Sequence, residues 1–522
     1  MDVMRTDVAI VGGGLGAVAA AIAAARLGRH VTLTEETAWV GGQLTNQAVP
    51  PDEHPWIEDN GATAGYRELR RGIRRYYREH LPLNPRARSN PTLNPGNGWV
   101  SRLCHDPRVA VAVLHQLMAP HQLSGRLVLL HRLKLVQAWT NGDRVTGVVV
   151  RSLDSGRETL IEASLFIDAT PYGELLELAG VEHVLGAESR AETGEPHASD
   201  AADSQDQQAI TVCFAMEHLL GEDHTIEKPR QYGLWRDYRP PGWSGPLLSW
   251  TTVQPETHHP LTRYLFDADD GHPWWSFRRI LDRTNFTDGF APSDVTVVNW
   301  PQNDYWFGPV VGTDPAEEAR NLEAARQLSL SLLYWLQTEA PRPDGGAGYP
   351  GLRLRGDVVG GTTDGLAQAP YVRESRRIRA EFTVLEQHIA YPLRPDGPEI
   401  FADSVGVGAY RIDLHPRVSG AGYLDLACWP FQIPLGALIP VRVENLLPGG
   451  KNLGVTHITN GAYRLHPVEW NVGEAAGTLA AFCHDRGVTP RGVRHTAALL
   501  ADFQAVLTKQ GVQLFWPSTT PV

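Results

Sequence analysis

With 522 residues the chain can bury a large core and has room for two or more domains. Its 47 Lys and Arg against 59 Asp and Glu give a net charge of −12, which argues against nucleic acid or an anionic membrane as the main partner. The four cysteines, Cys104, Cys213, Cys428 and Cys483, are far apart and form neither a CxxC pair nor a disulfide framework, which suits a reducing cytoplasm. No signal peptide opens the sequence, and its Ala-rich segment is too short to span a bilayer.

Val8 to Val11 reads as a short buried parallel strand. It stops at Gly12-Gly13-Gly14. A helix is expected over Ala17 to Leu27, ended by Gly28, and His30 to Thr34 gives a second strand that closes on Glu35. Strand, glycine turn, helix, strand and acid form a βαβ unit with the pattern Gly12-x-Gly14-x-x-Ala17. Gly12 permits the tight turn, and Gly14 lets a pyrophosphate approach the backbone. Gly16 belongs to the same cradle, and Ala17 lets the helix lie close on the strand. The helix N-terminus offers free N–H groups to phosphates, and Glu35 can accept from the ribose hydroxyls of an adenosine. An ordinary glycine turn would leave Glu35 unexplained, so the unit predicts a dinucleotide site.

The next run, Trp39-Val40-Gly41-Gly42-Gln43-Leu44-Thr45, resembles the segment after the second strand in FAD-dependent oxidoreductases of the glutathione-reductase-like superfamily. That resemblance implies FAD, with Gly42 and Gln43 passing under the pyrophosphate toward the isoalloxazine. The absence of CxxC removes the redox dithiol that a disulfide reductase needs beside its flavin.

A helix is expected over Tyr66 to His80, its arginines on a solvated face paired with Glu68 and Glu79. Cys104 reads as a packed thiol, and Asp106-Pro107 as the cap of a helix through Ala110 to Met118. Apolar runs at Arg126–Leu130, Lys134–Thr140, Val145–Arg151 and Glu158–Ala163 suggest a β-meander. A further buried strand, Leu165 to Thr170, follows. In proteins similar to this one that strand returns to the sheet near the adenine and ribose, which places Ala169 at the cofactor.

His197 to Gln208 reads as a polar, mobile loop. Seven tryptophans fall between Trp235 and Trp306, in a region expected to cover the substrate, most of them as aromatic core. His258-His259 lacks the carboxylate or cysteine spacing of a metal site, so no metal is expected. Asp314, Pro315 and Glu317 open a long helix, with Leu322, Ala325, Leu328, Leu332 and Trp335 along one face. The glycine run Gly345–Gly348 precedes no helix signal and is not a second nucleotide site.

Two later stretches, Pro370–Ile378 with Tyr371-Val372-Arg373-Glu374-Ser375-Arg376-Arg377 and Gly408–His415, resemble the "FAD-dependent oxidoreductase" family of bacterial flavoproteins. So does the C-terminal run Glu444 to His457. The family resemblance implies FAD and redox chemistry without naming a substrate. It places Gly450, Asn452 and Asn471 at the cofactor. It also points the N-terminus of a helix over Val468–Phe482 at the flavin, where its dipole would stabilise negative charge on reduction. His457 is the first candidate base and His466 the second. Arg373, Arg376 and Arg464 could hold a substrate carboxylate.

The expectation is therefore an α/β protein with a Rossmann-like FAD-binding domain of the glutathione-reductase type, including a β-meander, and a discontinuous mixed α+β substrate domain. The boundaries expected are 1–185 for the first part of the FAD domain, 186–400 for the substrate or cap domain, 401–485 for the return to the FAD domain and 486–522 for a C-terminal helical extension. The function expected is a cytoplasmic FAD-dependent dehydrogenase or oxidase acting on a small organic molecule by hydride transfer, with O₂ or another acceptor reoxidising the flavin. A monooxygenase using NAD(P)H and a non-catalytic flavin-binding protein are the alternatives. Homo-oligomerisation is left open.

Overall fold

The computed structural model describes residues 1–517 and 520–522; Ser518 and Thr519 of the 486–522 segment lie outside the described residues. Strands β1 (Asp2–Val11), β2 (Val31–Thr34), β3 (Leu127–Leu130), β4 (Leu133–Asn141), β5 (Arg144–Ser152) and β6 (Glu158–Asp168) stand in the order β3-β2-β1-β6-β5-β4. β1 is parallel to β2 and β6, and β2 is parallel to β3. The apolar run Val8–Val11 forms the central strand because both its faces are covered, and all four residues are buried.

Two expectations about the meander are corrected. The Arg126–Leu130 run is not part of it: Leu127 to Leu130 pairs in parallel with Val31 to Thr34. Glu158–Ala163 and Leu165–Thr170 are not two strands but the single β6. Its outer edge pairs antiparallel with β5 (Gly147 opposite Glu162), then parallel with Leu446–Pro448. The sequence changes from partly polar to continuously apolar within β6 because one face is half-exposed at the start and fully covered at the end, so a single strand reads as two.

Helix α1 (Leu15–Arg26) is buried almost all round, which explains its alanines. Helix α2 (Ala64–His80) corrects the expected solvated arginine face. Arg71 and Arg75 do meet Glu68, but Arg70 and Arg74 turn inward to Glu58, and Arg70 also to Glu53. The spacing of four puts Arg70 and Arg74 on one face, and the acids that satisfy them come from the preceding loop. Helix α3 (Pro107–Leu123) is capped by Asp106, whose carboxylate accepts from Arg108 N at 2.8 Å.

A second layer is built on β7 (Phe214–His218), β8 (Arg279–Leu281), β9 (Val295–Val298) and β10 (Leu352–Leu354), in the order β8-β9-β7-β10. Helix α4 (Pro315–Thr338) packs against this region. Asp314 caps it by accepting from Ala316 N and Glu317 N, whereas Glu317 takes the Thr313 hydroxyl at 2.7 Å rather than reaching back to the cap. Trp235, Trp250, Trp274, Trp275, Trp300 and Trp306 share one core with Leu328, Leu332 and Trp335, and Trp243 lies at its margin. These rings fill a core rather than line a cavity. The 197–208 loop, expected to be mobile, is anchored: Gln207 bonds Val311 through both backbone groups, Gln208 N reaches Glu374, and Asp206 pairs with Arg417.

The chain returns to the first layer through β11 (Ser404–Gly408), β12 (Phe431–Pro434) and β13 (Leu446–Pro448). Helix α5 (His457–Tyr463), capped by Thr456, precedes the next helix. Helix α6 (His466–Arg486) is longer than the expected Val468–Phe482 and ends at Gly487, φ +62°. It crosses α1 with backbone against backbone. A Cβ on Gly473 would stand 1.9 Å from Gly16 O, and one on Gly477 would stand 2.2 Å from Ala20 O. Helices α7 (Pro490–His495) and α8 (Ala497–Lys509) follow. Among the described residues no helix is long and apolar enough to cross a membrane.

Candidate cofactor cleft and active site

Val11, Thr34, Asp168 and Pro448 end four parallel strands, with Val11 and Pro448 both in register with Asp168. A cleft of about 960 Å³ opens over these carboxyl ends. That is where a doubly wound sheet places its ligand, and the volume is at the top of the ~300–1,000 Å³ range of small-molecule sites.

The cleft floor is backbone. Gly12 has φ +87°, and a Cβ there would stand 2.5 Å from Thr170 N, so only glycine makes this turn. A Cβ on Gly42 (φ +51°) would lie 3.0 Å from Gly14 Cα, so the two loops meet with no side chain between them. Glu35 ends β2. Its Oε2 accepts from Gly13 N at 2.9 Å and its Oε1 from Thr37 N at 2.6 Å, and burial pushes its pKa up. Glu469, in the first turn of α6, accepts from Gly16 N at 3.2 Å and from Gln43 Nε2; burial raises its pKa while nearby Lys451 opposes the shift. Lys451 Nζ donates to Val372 O at 2.7 Å, and burial draws its pKa down to about 8.

The residues present fit FAD. The N-terminus of α1 offers amides above a glycine floor, and an acid stands at the end of β2. Along the cleft, Gln43 Oε1, Asn46 Oδ1, Gln47 Oε1 and Gln368 Nε2 are buried without partners among the described residues. Buried amides of this kind call for a polar ligand.

Of the residues expected at the cofactor, Gly12, Gly14, Glu35, Gly42, Gln43, Ala169, Gly450 and Asn452 line the cleft. Asn452 clamps it, donating to Asp168 O at 2.9 Å and accepting from Gly450 N at 3.2 Å. Gly16, Ala17 and Asn471 do not line it. A Cβ on Gly16 would stand 1.9 Å from Gly449 O, so this glycine serves helix packing, and Ala17 is core. Asn471 lies against Gly406 in β11, where a Cβ would stand 1.6 Å from its Nδ2.

The expected catalytic set is dispersed. Arg376 lines the cleft, held by Glu177 and Tyr172 O. Arg373 is buried outside it on Asp304 (3.0 Å) and Ala209 O, and Arg464 bonds the Tyr371 hydroxyl and Asp413. His466 has both nitrogens occupied: Nδ1 accepts from Asp52 N at 3.1 Å and Nε2 donates to Val49 O at 3.2 Å. Burial pushes its pKa down to about 4, so it stays neutral. His457 is fixed through Nδ1 to Glu374 at 2.9 Å and faces a different, smaller cavity. Cys104 is buried, its thiol pushed up to about 12, as a packed cysteine should be. Sequence reading missed Lys451, Glu469, Asn46, Gln47 and Gln368. Lys451 follows a glycine pair and Glu469 opens a helix, which were usable signals; the amides carried none.

The family described as "FAD dependent oxidoreductase" matches residues 7–507. No curated protein matches the sequence. Among solved structures, a geranylgeranyl bacteriochlorophyll reductase-like protein from Thermoplasma acidophilum is similar at 9% identity over 98% of this chain and 85% of that one, with TM-score 0.34. L-proline dehydrogenase from P.horikoshii is similar at 16% identity over 35% of this chain and 24% of that one, with TM-score 0.18. The flavin-dependent monooxygenase PieE is similar at 15% identity over 41% and 35%, with TM-score 0.24. The chain spans less than half the length of the proline dehydrogenase and of PieE. With the family matched across nearly its whole length and a dinucleotide cleft over its parallel strands, the chain belongs to the FAD dependent oxidoreductase family, with FAD as its cofactor.

Proposed function

We propose that the protein oxidises a small organic substrate held between its two layers, with O₂ or another acceptor taking the electrons in the end. Bound FAD would supply the two-electron acceptor, taking a hydride at N5. The main support is the makeup of the cleft wall. The strand ends and the Gly12–Gly14 turn form one side. The other side comes from Val310–Thr313, Pro315, Glu318 and Leu322 at the start of α4, Gly360–Thr362 and Gln368–Pro370. A cleft closed by a second layer can exclude water from a substrate as well as cradle a cofactor.

Lys451 suits the proton chemistry. Its amine lies in the cleft, and with a pKa drawn down to about 8 its Nζ can hold or release a proton close to neutral pH. Its carbonyl partner, Val372 O, fixes where the proton sits. Arg376, held by Glu177, can orient an anionic substrate group. His466 positions the start of α6 against the Val49–Asp52 loop.

The test is anaerobic titration of the purified yellow protein, following the visible flavin band. Bleaching by an amine, alcohol or acid, with none by NADH or NADPH, is the expected result. Fast bleaching by a nicotinamide alone would overturn the proposal in favour of a reductase or monooxygenase, and bleaching by none of them in favour of a non-catalytic flavoprotein.

A further inference from the structure

The cavity that His457 faces, about 200 Å³, shares no lining residue with the cofactor cleft. Its volume equals about seven waters at ~30 Å³ each, so it suits a small metabolite rather than a nucleotide. Two of its charged walls are incompletely satisfied, and they carry opposite signs.

The first is Glu195, only 1% exposed. Its Oε1 accepts from the Thr456 hydroxyl at 2.7 Å and from Glu386 N at 2.8 Å. Among the described residues no hydrogen bond reaches its Oε2 and no Lys, Arg or His is paired with the carboxylate; the Thr193 hydroxyl favours its charge, but burial and Glu188 oppose it and push its pKa up to about 7. A buried carboxylate without a cation is costly. The second is Arg417. Its Nη1 is taken by Asp206 at 3.1 Å and approached by His457 Nε2 at 3.3 Å. Its Nε and Nη2 have no protein partner among the described residues. Asp206 holds this guanidinium, and Glu374 fixes the neighbouring His457 ring. Leu414 and Ile458 supply apolar wall.

We infer that this cavity is a binding site for a small zwitterionic α-amino acid. Its ammonium would meet Glu195 Oε2, its carboxylate the free edge of Arg417, and its side chain the Leu414–Ile458 wall. Such a ligand supplies the missing cation and the missing anion together, which neither an amine nor an acid can do alone. The site is separate from the cleft and involves no redox step.

The test uses the FAD-loaded protein and calorimetry with glycine, L-alanine and L-serine, with methylamine and acetate as one-charge probes. Binding of at least one amino acid, at least 10-fold tighter than either one-charge probe, is expected. Glu195→Gln keeps the two hydrogen bonds at Oε1, should fold and retain flavin, and should weaken the amino acid at least 10-fold. Arg417→Lys keeps the pair with Asp206 but loses the fork, and should weaken it likewise. Equal binding of acetate or methylamine, no binding of any amino acid, or unchanged affinity in Glu195→Gln would overturn the assignment. The probe comparison decides the matter on the unmodified protein even if a variant fails to fold. Because it reads binding and not flavin reduction, its outcome is independent of whether the cleft oxidises any substrate.

Discussion

Replacing Glu469 by Gln should tighten FAD binding. The Glu469 carboxylate lines the cleft beside Gly12 and Gly14 and accepts from Gly16 N at 3.2 Å, just behind the turn over which a diphosphate would lie. Were a phosphate to sit about 4 Å from the carboxylate, an effective dielectric of ~20 would give a repulsion of about 4 kcal/mol per charge pair. Lys451 offsets part of this, and burial raises the Glu469 pKa, which lessens the cost of neutralising the carboxylate when a diphosphate binds. A net gain of about 1–2 kcal/mol remains, a roughly 5- to 30-fold lower Kd. Gln keeps the shape and an oxygen for Gly16. The pH dependence follows: since protonation removes the repelling charge, the unmodified protein should bind FAD more tightly as pH falls, and Glu469→Gln should flatten that slope. The assay is titration of deflavinated protein with FAD, followed by quenching of flavin fluorescence, between about pH 6 and 9. A Kd in Glu469→Gln that is unchanged or weaker, with the same pH slope, would refute competition between carboxylate and phosphate.

Gly16→Ala should lose flavin on gel filtration and lower Tm by several degrees, because its Cβ would stand 1.9 Å from Gly449 O; Gly28→Ala, with φ +90° but nothing within 4 Å, should cost only about 1–2 kcal/mol and keep its flavin. Retained flavin in Gly16→Ala would contradict the packing. Arg377→Met should cost about 3–5 kcal/mol in urea unfolding, since it removes the buried guanidinium that Glu374 and Glu188 share, whereas the exposed Arg71→Ala should cost under about 1 kcal/mol; similar losses would show that burial is not what matters. His54, His105 and His466 have pKa values pushed down to about 4 by burial, below the unfolded value of about 6.5. Each contributes stability that is complete above about pH 6.5 and lost as pH falls toward 4, up to about 3 kcal/mol per group. The urea midpoint should therefore drop clearly from pH 7 to pH 5, and a constant midpoint would count against neutral buried histidines.

The cradle was legible because local chemistry specifies it. Gly12 must adopt a positive φ, Val8–Val11 must be buried on both faces, and the acid at Glu35 must follow the second strand, so one short stretch carries strand, turn, helix and acid together. The Asp106 and Asp314 caps were legible for the same reason, since a cap contacts amides two or three residues away. Where a residue's role depends on a distant partner, sequence gave less. Arg70 and Arg74 read as solvated until Glu53 and Glu58 are seen to meet them. His457 followed a flavin-side strand in sequence, yet Glu374, far away in the chain, turns it toward another cavity.

By itself, then, the sequence determined the dinucleotide fingerprint, the parallel strands that carry it and, through family resemblance, the FAD dependent oxidoreductase assignment that the family match bears out. Only the tertiary structure decided which charged side chains line the cleft and which are spent in the core. Lys451 and Glu469 meet there because β13 and α6 return, more than 400 residues later, to the glycine turn of β1. Periodicity and turn chemistry act over a few residues, whereas the pairing and burial of charge depend on what the folded chain brings within a few ångströms.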